Sequence, residues 1–205
     1  MVKIKISGIK IGPREKLLKY LIENKSPVSI NQVSRAIIVD YKNTHNLVNE
    51  LQSHGIIIKE RLGNTNPIRI NLVANNEICN VEKRRTEEFL LKNPKFKIVK
   101  NYIEEINYPF LIVLVFGSYV KRTNTNGSDI DICVICDNNE KLKILLEKLR
   151  LLALPLEIHD FTTAQFNSMI EKKQNNLGNE IVNKNIILYG VENYYNLIAK
   201  WMKRE

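Results

Sequence analysis

Apolar positions in the first third of the chain recur at helical spacing and then give way to strand-like runs. Leu17, Leu18, Leu21 and Ile22 share one face of a helix predicted over residues 14–24, with Pro13 at its start. Ser26-Pro27 breaks that helix. Ser29 and Gln32 have the spacing of a capping box, which opens a short second helix burying Val33, Ala36 and Ile37 and ending near Val39. A third helix is predicted over 41–54, with Thr44, Leu47, Val48 and Leu51 inward and Gly55 as its stop. Two β-rich runs, 56–62 and 67–72, flank the turn-prone Gly63-Asn64-Thr65-Asn66 and read as a hairpin.

Around residue 75 the strand pattern is lost and asparagine accumulates, so a domain covering 1–75 is expected, followed by one covering 76–205. In the second part helices are predicted over about 81–91, with Phe89 and Leu90 inward, and 97–105. Residues 110–116 then form a continuous apolar run of strand length, the pattern of a strand buried on both faces. Gly117-Ser118 follows at once, then ten residues, then Asp129-Ile130-Asp131 leading into the apolar run 132–135. A helix over 139–152, with Leu142, Leu145, Leu146 and Leu149 as its core stripe, precedes a third strand at 154–161.

Composition adds limits. A chain of 205 residues with 44% hydrophobic and 26% charged residues has the make-up of a soluble globular protein of one or two domains. No stretch approaches the roughly 18 apolar residues of a membrane helix, and the N-terminus lacks a secretory signal, so a cytoplasmic location without membrane contact is expected. Three cysteines are too few for a disulfide framework; Cys133 and Cys136 lie in an apolar strand and read as core. Residues 1–75 hold 12 Lys+Arg against 5 Asp+Glu, whereas 76–205 hold 19 against 17. A polyanion would therefore meet the N-terminal part.

The candidate chemistry lies in the second part. Residues two apart on a strand face the same way, so Asp129 and Asp131 are expected to project together. Paired carboxylates suit Mg²⁺, which usually takes one or two of them plus substrate phosphates. Gly117 leaves the backbone open to a phosphate, and Ser118 opens a helix whose N–H groups favour an anion. Lys121 and Arg122 supply positive charge for a polyphosphate, and Ser128 immediately precedes the first aspartate. These parts describe a site for a metal–nucleoside triphosphate. Asp-x-Asp alone is usually a solvated turn; its context here is what gives it weight. His159 could sit in the same cleft, although a lone strand histidine is more often a packed or exposed bystander.

Two resemblances follow from these residues. Three short helices and a hairpin over about 13–73 resemble a winged helix-turn-helix, in which the third helix lies in the major groove of double-stranded DNA and the hairpin touches the backbone. On that likeness Asn43, His45, Asn46 and Asn49 would read base edges, while Lys42, with Lys59, Arg61 and Arg69 on the hairpin, would suit phosphates. Winged helices also serve as protein-docking modules. The run Phe116-Gly117-Ser118, ten residues, then Asp129-Ile130-Asp131, together with the segment 180–190, resembles the minimal nucleotidyltransferases of the DNA polymerase beta superfamily over about 82–195. That likeness implies an α/β (α+β) domain with a mixed sheet flanked by helices. It also implies Mg²⁺-dependent transfer of AMP from ATP, with two ions about 4 Å apart. Asp129 and Asp131 would be metal ligands, Gly117 and Ser118 phosphate holders, and Glu157 the third carboxylate, standing where the family usually has Asp. Many minimal members act as antitoxins that adenylylate a HEPN-type partner protein, and they often pair as homodimers. A transcription regulator whose transferase domain only binds nucleotide is the reading of a different class, and a small-molecule transferase is a third.

Overall fold

The computed structural model describes residues 11–61, 65–172 and 176–202, with the backbone alone for 200–202. The chain divides into two compact units, Met1–Asn71 and Leu72–Glu205.

In the first unit α1 (Pro13–Glu23) begins with proline at its first turn and buries Leu17, Leu18, Leu21 and Ile22. The Ser29/Gln32 capping box is formed in both directions and opens α2 (Ile30–Ile37). This helix buries Ile30, Val33, Ser34 and Ile37. The expected burial of Ala36 is not met: Ala36 is exposed, and Ser34 takes the inward position by bonding its hydroxyl to the Asn31 carbonyl at 2.9 Å. Helix α3 (Tyr41–Ser53) is N-capped by Asp40, buries Thr44, Val48 and Leu51, and ends before Gly55, whose φ is +69°. Strands β1 (Ile57–Lys59) and β2 (Ile68–Ile70) pair antiparallel, Ile57 opposite Ile70. The expected turn residues Gly63 and Asn64 lie outside the described residues.

The second unit is a mixed four-stranded sheet flanked by helices. Helix α4 (Asn76–Lys92) starts earlier than its apolar pattern suggests, because Asn75 accepts a hydrogen bond from the Ile78 N–H and caps it. Then come α5 (Phe96–Glu105), β3 (Ile112–Val115), the one-turn α6 (Gly117–Lys121) and β4 (Ile130–Ile135). Next are α7 (Asn139–Arg150), β5 (Leu156–Phe161), α8 (Thr163–Ile170), α9 (Leu177–Asn183), β6 (Ile186–Tyr189) and α10 (Val191–Met202). The strand order is β5-β4-β3-β6. β3 runs antiparallel to β4 and β6, whereas β4 and β5 are parallel and joined through α7, as a parallel pair requires.

All four β3 residues are buried, which accounts for its unbroken apolar run. Val113, Val115, Ile130, Ile132 and Val134 pack with Phe96, Val99, Ile103, Leu145 and Leu149, so α5 and α7 cover one face of the sheet. Cys133 is on the other face and wholly buried, and Cys136 is also core. Behind β6 lies a buried polar group. Arg85 is paired with Glu82 (2.5 Å) and donates to the Asn185 carbonyl (2.9 Å), Tyr195 donates to Glu82 (2.6 Å), and Thr86 donates to the Ile187 carbonyl (2.7 Å). No described helix is long and apolar enough to cross a membrane.

Candidate functional site

The site forms where β3 ends against the start of β4. The Phe116 N–H donates to the Asp131 carbonyl at 3.1 Å, which brings the turn into α6 beside the second residue of β4. Gly117 has φ +66°, and a Cβ built there would lie 2.7 Å from Asp131 Cγ. The glycine is therefore required by the Asp131 carboxylate, which occupies the space a side chain would fill. The Ser118 N–H donates to that carboxylate. Burial pushes the Asp131 pKa up, and the Glu157 charge adds to the shift. His159 and the Ser118 N–H oppose it, and Glu180 weakly reinforces it.

The parallel register sets Asp131 directly beside Glu157, and Cys133 beside His159. Glu157 and His159 are two apart on β5, so both share the Asp131 face. One donor atom from each of Asp131, Glu157 and His159 lies within 4.8 Å of the others. Two carboxylates and an imidazole at that spacing suit a divalent cation, and like charges so close are costly without one. His159 Nε2 is 3.3 Å from Glu157 Oε1, and its ring stands 5.6 Å from that of Phe116. Asp160 belongs to the opposite face and is exposed.

The remaining expected residues are placed differently. Asp129 is exposed and precedes β4 by one residue, outside the three-residue cluster. Lys121 is paired with Glu180 on α9 at 2.6 Å. Arg122, with φ +60°, closes α6 and is exposed. Ser128 Oγ accepts from the Thr125 N–H at 2.8 Å while its own N–H donates to the Thr125 carbonyl at 3.2 Å, so it ties the loop that delivers Asp129. Reading by spacing missed two residues near Asp131. His159 carried a signal in its two-residue offset from Glu157, whereas Glu180, although it opens the segment 180–190, approaches from α9 and its spacing gave no sign of the meeting.

In the first unit, Lys42, Asn43, Asn46 and Asn49 are exposed on α3 and His45 is half-buried. Asn43 bonds the Asp40 carboxylate at 2.5 Å. Asn49 lies between His45 Nδ1 (3.2 Å) and the Lys59 ammonium (2.5 Å), so helix and hairpin share one polar surface. Arg61 is exposed just beyond β1.

No curated protein matches the chain. Among solved structures it is similar to one described as the crystal structure of a toxin-antitoxin with AMP-PNP, at 24% identity over 51% of this chain and 85% of that one. The TM-score of 0.35 makes that overlap too loose to transfer anything. Residues 97–193 match the family model "Polymerase beta, Nucleotidyltransferase", a span holding β3, Gly117-Ser118, Asp129, Asp131 and Glu157. Over that stretch the chain is similar to the polymerase beta nucleotidyltransferase family.

Proposed function

We propose that the second unit transfers AMP from ATP to a hydroxyl acceptor with the help of Mg²⁺. The observation that carries this reading is the side-by-side placement of Asp131 and Glu157, with Asp131 fitted against Gly117 and Ser118, inside the matched stretch. Asp131 and Glu157, with Asp129 two residues upstream of Asp131, are the carboxylates that would hold the metal. A divalent ion there would offset triphosphate charge and polarise the α-phosphate. Lys121 and Arg122 are exposed cations for the polyphosphate, Lys121 exchanging Glu180 for phosphate. Glu157, the most open of the clustered groups, accepts the proton of the acceptor hydroxyl. The new bond joins the acceptor oxygen to the α-phosphorus, the α–β bridging bond breaks, and pyrophosphate leaves. By resemblance the acceptor is a HEPN-type protein. Calorimetric titration of ATP with and without Mg²⁺, on wild type and on Asp129→Ala/Asp131→Ala, tests the site. Mg²⁺-dependent binding lost in the double variant supports it, and no binding by folded wild type rejects it.

A second reading is favoured by the exposed polar face of α3 and the excess positive charge of residues 1–75. Here the first unit is a winged helix that binds double-stranded DNA, and the protein regulates transcription while its second unit only binds nucleotide. Salt-sensitive binding to its own upstream DNA, with no AMP transfer to any co-expressed partner, is the outcome that would favour it.

A further inference from the structure

We infer that His159 is a ligand of the metal site and that it makes the site favour Mn²⁺ over Mg²⁺. The inference rests on the nucleotidyltransferase reading and concerns the same face of β4 and β5.

Three observations support a mixed nitrogen–oxygen donor set. The parallel register holds Asp131 and Glu157 side by side, with His159 two residues further along the same face. One donor from each lies within 4.8 Å of the others, a separation a single ion can bridge with small side-chain adjustments. Two of the three groups are also confined. The Asp131 carboxylate is fitted over the bare Cα of Gly117 and held by the Ser118 N–H. The His159 side chain, 26% exposed, has the Phe116 ring 5.6 Å from its own and Glu157 Oε1 3.3 Å from its Nε2. Such confinement lowers the entropy lost when a ligand set closes on an ion.

The choice of ion follows from donor chemistry. Mg²⁺ demands near-ideal octahedral oxygen coordination and gives up water reluctantly, so an imidazole adds little to its affinity. Mn²⁺ accepts carboxylates and phosphates in the same octahedral geometry, and as a first-row transition ion, though the weakest binder of that series, it also binds mixed nitrogen–oxygen sites. A histidine in the cluster therefore strengthens Mn²⁺ binding and leaves Mg²⁺ nearly unchanged.

The test is electron paramagnetic resonance of Mn²⁺ added to the full-length protein. Spin-echo modulation from a directly bound ¹⁴N is the main readout, and calorimetric affinities for Mn²⁺ and Mg²⁺ are the second. Wild type is expected to show ¹⁴N modulation. His159→Gln should lose it and bind Mn²⁺ at least about tenfold more weakly, since even the loss of a group that merely orients a ligand costs that much. Its Mg²⁺ affinity should stay within error. The chain has three histidines, so His45→Gln/His54→Gln must keep the modulation; this variant also decides the matter if His159→Gln does not fold. Mn²⁺ that binds through Asp131 without ¹⁴N modulation overturns the inference and spares the transferase reading. No binding of either ion, with or without ATP, sinks both.

Discussion

Replacing Gly117 with alanine would set a Cβ 2.7 Å from Asp131 Cγ, on a backbone whose φ of +66° already disfavours L side chains. The strain is on the order of 1–3 kcal/mol, and the carboxylate must move. Gly117→Ala should therefore lose calorimetric metal–ATP binding while remaining folded, with a melting temperature lowered by several degrees. Asp131 makes a second prediction. Burial and Glu157 raise its pKa, so the folded chain holds this proton more tightly than the unfolded chain does. Stability from this group is present below the ordinary Asp range and falls as pH rises through the raised folded-state value. Asp131→Asn removes that penalty yet keeps an acceptor for the Ser118 N–H. Thermal melts should show the variant more stable than wild type at neutral pH, the advantage vanishing in acid, and calorimetry should show no metal binding.

At the scale of elements, much of the architecture could be read from short spacings. Ser29 and Gln32 form their capping box because both partners lie within one turn, and the apolar run 112–115 is buried as a central strand must be. Asn75 was hidden in a polar stretch that resembles a linker, although it caps α4. The pairing of Lys121 with Glu180 spans 59 positions, and the meeting of His159 with Asp131 depends on strand register. Neither follows from local pattern, because the first depends on where α9 packs and the second on how β5 docks on β4. α4 and α10 carry a further expectation. Arg85 and Glu82 have side chains 5% and 1% exposed, and each leaves a buried charge if its partner is removed. Arg85→Leu should cost roughly 3–5 kcal/mol in urea unfolding. The Lys121–Glu180 pair is about 40% exposed on both sides, and breaking it should change stability by less than about 1 kcal/mol.

Over the whole molecule, charge is divided unevenly, with most of the net positive charge in residues 1–75. If that charge meets DNA phosphates, log affinity should fall linearly with log salt, and Lys42→Ala should reduce the slope by about one without altering nucleotide binding by the other unit. The two edges of the larger sheet differ as well. Behind β6, the Asn185 and Ile187 carbonyls are taken by Arg85 and Thr86 of α4, while β5 at the opposite edge carries Glu157 and His159. One margin is bolted and the other is a hem. Amide hydrogen exchange should grade across the sheet, slowest at β6 and β3 and fastest along β5. If the second unit is the transferase proposed above, breathing confined to β5 would let Glu157 shift to admit an acceptor and release pyrophosphate without disturbing the core that holds Asp131 in place.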